Sequence, residues 1–280
     1  MNKIENRQEE LEMGEGRSIT EIKTSLEKLD GAVIYHVVKD LIGFILYMHQ
    51  QIPSILQDLS DEFHALQIER KDLELISTQS EVKASSRRNQ IGRMREVKQG
   101  LKRMEKLMNT LASLNTAIQL MLNESHNIEG VMLVLGSSPI RPQQVYEMFF
   151  SHGSFVAEHT IDYNKSKAAE TLSRKAIRAL VSDGAGSVSY AGPTKLFLLA
   201  KAPATFNLPL HFLPKRDFRY SKKIVPFKLC IKCKVREQDM DTSECCASSS
   251  SIGLPVATSN DSIWYVTAAS ITCFCITLYN

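Results

Sequence analysis

Cysteine is missing from most of this 280-residue chain: Cys230, Cys233, Cys245, Cys246, Cys273 and Cys275 all fall in its last fifth. No secretory signal precedes them, because residues 1–30 are acidic and polar and lack the apolar run that a signal peptide needs. Reduced thiols in the cytosol or nucleus are therefore the expectation. Long apolar runs are scarce too. At most one stretch reads as long enough to span a bilayer, which excludes a polytopic membrane protein. The combination of low hydrophobicity and high net charge that keeps chains disordered is also absent, with 43% hydrophobic residues and a formal charge of +3. One or two globular domains with an ordinary core remain.

Catalytic signatures are missing as well. There is no G-x-x-x-x-G-K-[ST] phosphate loop, no G-x-S-x-G elbow and no H-E-x-x-H helix. The seven histidines share no ligand spacing. Asp183-Gly184-Ala185-Gly186 is a glycine-rich turn, but it follows an expected helix rather than a strand, the wrong setting for a dinucleotide. Cys230-x-x-Cys233 invites a zinc reading. Phe227, Leu229 and Ile231 alternate with Lys228, Cys230 and Lys232, however, and residues three apart on a strand point to opposite faces. No second pair follows at finger spacing. The favoured expectation is a protein that is not an enzyme and holds neither metal nor cofactor.

What the sequence does have is unevenly placed charge. Residues 83–106 carry nine basic and two acidic side chains, a balance of +7. Residues 215–236 carry nine more against Asp217 alone, or +8, leaving −12 elsewhere. Such blocks are either solvated faces or contact surfaces for acidic protein, nucleic acid or anionic lipid.

The pattern of elements is that of one α+β domain over residues 31–280 behind a polar, acidic arm of residues 1–30. Val33, Val37, Leu41, Phe44, Ile45 and Met48 recur at helical spacing, and Gln50-Gln51-Ile52-Pro53 closes that helix. A short helix is expected over 54–66, then a charged loop over 67–84. A long helix follows from Ser85 to Asn123, with Met94, Val97, Leu101, Met104, Met108, Leu111, Asn115, Ile118 and Leu122 in heptad steps. A dimeric coiled coil would use that seam, but Leu107 and Leu114 widen the stripe and favour packing on a domain core, its basic first half projecting into solvent. Val131-Met132-Leu133-Val134-Leu135 reads as a buried strand, 145–150 as another, and 165–182 as an amphipathic helix. Strands are expected at 194–200 and 224–235, separated by a long loop over 202–223, with a serine-rich loop over 242–262. The uncharged tail, 263–280, has seven polar residues in eighteen and reads as a terminal strand rather than a membrane anchor.

Four stretches resemble the comet family of HORMA-domain adaptors: 46–53 (ending His49-Gln50-Gln51-Ile52-Pro53), 131–136 continuing to Val145-Tyr146-Glu147, 174–180, and Phe212-Leu213-Pro214-Lys215 leading into the strand that ends at Cys233. Ile263-Trp264-Tyr265 resembles the family's closing aromatic strand. The likeness is diffuse and spans 32–265, as in a distant or plant-type member. It implies a HORMA-like domain, an antiparallel sheet packed against the long central helix and shorter helices. It implies an adaptor that binds the closed conformer of a Mad-two-type HORMA protein. That partner is presented to the pachytene-checkpoint AAA+ ATPase, silencing the spindle checkpoint in nucleus and mitotic cytoplasm, with a possible second setting in meiotic chromosome-axis remodelling. By carry-over, Arg174, Ile177, Arg178, Val181 and Met48 face the HORMA partner, and Phe212, Pro214 and Lys215 form the ATPase-contact loop. The family can carry a bulky aromatic and a glutamine where this chain has Ile177 and Met48. The alternative expectation is a basic nuclear protein that binds nucleic acid through 83–106 and 215–236.

Overall fold

The computed structural model describes residues 18–78, 84–125, 128–151, 163–186, 192, 194–234, 262–268 and 270–272. Residues 1–17, 79–83, nearly all of the serine-rich segment, the last four cysteines and the end of the tail lie outside them. Helix α1 (Gly31–Met48) starts where Asp30 accepts a hydrogen bond from the Val33 N–H at 2.7 Å, satisfying an otherwise orphaned donor. Its length and composition would let it cross a membrane, but 67% of it is buried inside the protein, as befits a core helix.

Helix α2 (Leu59–Thr78) corrects two expectations. It begins later than predicted and continues through most of the supposed 67–84 loop. Its polarity is the cause: Leu59, Phe63 and Leu66 form a narrow inward stripe, and most of the remaining residues are polar and exposed or half-buried. Helix α3 (Ala84–Glu124) carries Leu107, Leu111, Leu114, Ile118, Met121 and Leu122 into the core. Its first half does not stand free, because α2 lies along it. Val97 and Leu101 are buried there, and Arg93 bridges to Glu69 at 2.7 Å. The seam that could have served a dimer is thus used within the monomer.

Strand β1 (Thr20–Lys23) precedes α1. The hairpin of β2 (Gly130–Ser138) and β3 (Arg141–Ser151) follows α3, then α4 (Lys167–Ser182), β4 (Lys195–Pro203), β5 (Phe212–Lys215), β6 (Phe227–Lys232), β7 (Ser262–Thr267) and β8 (Ile271–Thr272). All eight strands form one sheet in the order β1-β6-β3-β2-β4-β7-β5, with β8 also on β4. The α+β class holds, but the expected antiparallel sheet is a mixed one: β6 runs parallel to both β1 and β3. Part of the supposed arm therefore belongs to the sheet, with Ile22 buried and Glu21 paired to Lys232 at 2.5 Å. Gly136 sits at a register shift in the hairpin. A Cβ there would lie 2.5 Å from the Arg141 carbonyl oxygen, so only glycine fits.

Alternation along the central strands divides the core. Val131, Leu133, Leu135, Tyr146 and Met148 meet the helices. Met132, Val134, Val145, Leu199 and Val266 point to the other face, where Phe218, Tyr220 and Ile224 cover them. The 202–223 excursion is thus partly strand β5 and partly a lid over the helix-free face. Tyr220 donates to Glu147 Oε1 at 2.7 Å. Burial, followed by that carboxylate, raises its phenol above the ordinary range.

Candidate functional site

Helices α1 and α4 run side by side in the same direction. At their starts His36 Nε2 lies 2.8 Å from the Tyr163 carbonyl oxygen, and Lys165 pairs with Asp40 at 2.8 Å. At their ends Met48 packs on Gly186. Helix α4 is capped by Ser166, which accepts from the Ala169 N–H at 3.1 Å. Ala169, Leu172, Ser173, Ala176 and Leu180 face the core. Arg174, Ile177, Arg178 and Val181 follow at steps of three, one and three, which places them on one arc of the helix, with Ile177 at the margin that meets the core and the other three turned away from it.

Within that arc the four side chains differ. Arg174 and Arg178 are exposed, and Arg174 pairs with Glu170 one turn earlier at 2.5 Å. Val181 is 54% exposed, a large apolar side chain open to solvent. Ile177 is half-buried and packs against the core, so only part of it is free for a partner. Met48 is half-buried at the end of α1. Both helices close with the same pair of hydrogen bonds. The Gln51 N–H reaches the Leu46 carbonyl and the Gln50 N–H that of Tyr47; after α4, Ala185 reaches Leu180 and Gly184 reaches Val181. The residue in the left-handed region is Gln50 in the first case (φ 53°) and Gly184 in the second (φ 80°).

The His49-Gln50-Gln51 run is explained by what lies beneath the end of α1. His49 is 2% exposed, and its Nε2 shares a 2.6 Å hydrogen bond with the Tyr146 hydroxyl. Burial holds its pKa down at about 4, so the imidazole is neutral near pH 7. Gln51 is buried as well. Its Nε2 donates to the His49 carbonyl at 2.6 Å and to that of Gly192 at 3.3 Å, and its Oε1 accepts from the Thr194 N–H at 3.0 Å. Helical spacing could not find these roles, because both residues act across the fold.

The residues of the ATPase-contact loop lie elsewhere. Pro214 and Lys215 are exposed on β5, the edge strand. Phe212, expected with them, is 1% exposed and sits edge-on to Phe206 with ring centres 5.6 Å apart. It holds β5 in place and offers no surface. Helix α4 is tied to the opposite edge, where Thr20 of β1 donates to Asp183 at 2.6 Å. Six strand spacings separate β1 from β5, about 29 Å, so the two sets are distinct surfaces.

The nucleic-acid alternative is divided in the same way. The aromatic residues interleaved with the 215–236 block are turned inward: Phe227 is buried, and Phe218 and Tyr220 are half-buried on the helix-free face. Helix α3 lies against the other face. Among the described residues, no group of three or more His, Cys, Asp or Glu side chains is placed to hold a metal ion; Cys230 is buried and Cys233 half-buried. Burial raises the pKa of Cys233. Comparison of the sequence with protein-family models and with curated proteins gives no match.

Proposed function

We propose that this protein is a HORMA-like adaptor that engages the closed conformer of a Mad-two-type HORMA protein through α4 and delivers it to an AAA+ remodelling ATPase. The observation that carries this reading is the single outward arc of Arg174, Ile177, Arg178 and Val181, with Met48 at the neighbouring helix end. Of these residues Arg174, Arg178 and Val181 are exposed, and Ile177 and Met48 are half-buried beside them. That surface also has suitable chemistry: the exposed Val181 beside two guanidinium groups matches the apolar-plus-arginine make-up of protein contact sites. Pro214 and Lys215, on an accessible edge strand about 29 Å away, leave room for a second partner to bind at the same time. Nuclear and mitotic placement, and any meiotic use, belong to the same reading.

Pull-down from a mixture of closed Mad-two-type protein and the pachytene-checkpoint ATPase tests it. Wild-type protein is expected to recover both. Val181→Arg, which places a charge at the contact centre on a position that the fold leaves open, is expected to lose the HORMA partner. Lys215→Glu is expected to lose the ATPase alone. Recovery of neither by the wild type refutes the assignment.

A further inference from the structure

We infer that the solvent face of α3 is a binding surface for the phosphate backbone of duplex nucleic acid, separate from the α4 surface. At 3.6 residues per turn, Arg87, Arg88, Arg95, Lys98, Lys102 and Lys106 fall within roughly 100° of one another around the helix. The core-facing residues Val97, Leu101, Met104, Leu107 and Leu111 occupy the opposite side. All six cations are exposed. Among the described residues none of them makes an ion pair, whereas Arg93, off this arc, is held by Glu69 and Glu96. The stripe is about 29 Å long, close to one turn of a duplex.

Three features select the occupant. No aromatic residue lies between Arg87 and Lys106, so a single strand would find no stacking platform. The apolar stripe of α3 is spent on the core, leaving Ile91 as the one large exposed apolar side chain in this stretch; a membrane-surface helix needs a whole apolar face. Acidic side chains are nearly absent, with Glu105 alone at the margin of the arc. Towards its C-terminal end the stripe enters an open cleft of about 510 Å³, where Asn109, Thr110 and Ser113 of α3 face Ser270 beside Lys102, Glu105 and Lys106. The Thr110 hydroxyl is already donated to the Lys106 carbonyl at 2.7 Å, which leaves the Asn109 amide and the Ser113 and Ser270 hydroxyls beside the lysines as donors to phosphate oxygens. Binding is sequence-independent, since the stripe has no group suited to reading base edges.

Fluorescence anisotropy of the full chain with a labelled duplex of roughly 20 base pairs, titrated at 50 and 200 mM salt, tests this. If five phosphates are neutralised, affinity falls about 500-fold across that range. Lys98→Gln/Lys102→Gln/Lys106→Gln is expected to lower the slope of log affinity against log salt by about 2.7. Should the triple variant not fold, Lys98→Gln alone, at an exposed position, lowers it by about 0.9. Val181→Arg leaves duplex binding unchanged. The inference is overturned by no duplex binding at 50 mM salt, by an unaltered slope in the lysine variants, by tighter binding to an oligopyrimidine single strand, or by phosphatidylserine vesicles that outcompete the duplex.

Discussion

The ends of α1 and α4 meet at Met48 and Gly186 and close with the same backbone pattern, yet what surrounds each end is different. Below α1 lie His49 and Gln51, both buried, hydrogen-bonded to β3 and to the chain entering β4. After α4 the turn passes to Asp183 and Thr20, near the surface, and Val181 is left open. One end is anchored through buried polar groups that are costly to disturb. The other is held mainly by backbone hydrogen bonds, and its outward residues can change without loss of the fold. A partner-binding arc on α4 beside a fixed α1 is a consistent division of labour.

The largest expected effect concerns the anchored end. His49 is neutral in the folded protein, with a pKa of about 4 against an ordinary 6.5. The unfolded chain therefore binds the extra proton first, and stability present above pH 6.5 is lost as pH falls towards 4. A shift of that size is worth up to about 3 kcal/mol. Denaturant unfolding at pH 7 and pH 4, wild type against His49→Gln, isolates it: the difference between the two proteins should shrink in acid. A constant difference would mean that the imidazole is not a buried neutral group.

Next in size is Gln51→Ala. It strips the Thr194 N–H and two carbonyl groups of their partner, and unsatisfied buried groups cost about 1–3 kcal/mol. Thermal unfolding reads the loss directly. Arg178→Ala at the other end, an exposed residue, should stay within about 0.5 kcal/mol of wild type. If the two variants cost the same, the contrast between anchored and open ends is wrong.

This contrast was half legible beforehand. Helical spacing locates α3 and α4, because each buries one stripe, and α1, whose apolar periodicity survives although Val33–Val38 are all buried among the other helices; the continuous apolar run at 131–135 marks the central strand. β1 was not legible. Thr20-Glu21-Ile22-Lys23 has a single apolar residue, and its parallel partner β6 lies over 200 positions later in the chain. The polar α2 was cut short for a related reason, since a helix resting on one neighbour needs few apolar residues. Phe212 is expected at the surface from the family likeness, which reports position in a motif rather than burial. Arg174, Ile177, Arg178 and Val181 are legible as one arc, because helical spacing over 165–182 puts steps of three, one and three together; spacing does not show that Val181 is open to solvent while Ile177 is half-buried.

A fourth variant, Gly186→Ala, probes the junction itself. Its φ of 84° disfavours any side chain, and the new Cβ would lie 2.8 Å from Met48 Cγ and Sδ. The backbone strain costs about 1–2 kcal/mol. Met48 must also swing aside, so a partner that touches it should bind more weakly. Loss of stability with unchanged partner binding would remove Met48 from the contact and leave the α4 arc intact.

The smallest effect has the opposite sign. Gln50 occupies the left-handed position that Gly184 occupies after α4, at φ 53°, and a side chain there is disfavoured by about 1 kcal/mol or more. Its side chain is exposed, so Gln50→Gly loses no packing. Glycine brings more freedom to the unfolded chain, which offsets roughly 0.4–1 kcal/mol of that gain. A net stabilisation of about 0.5 kcal/mol is expected, read as a small rise in denaturant midpoint at unchanged slope. Gly184→Ala should shift the midpoint the other way, by more than Gln50→Gly raises it. If Gln50→Gly instead destabilises, the glutamine makes a contact that the folded chain needs, and the two helix ends differ in backbone energetics as well as in the side chains around them.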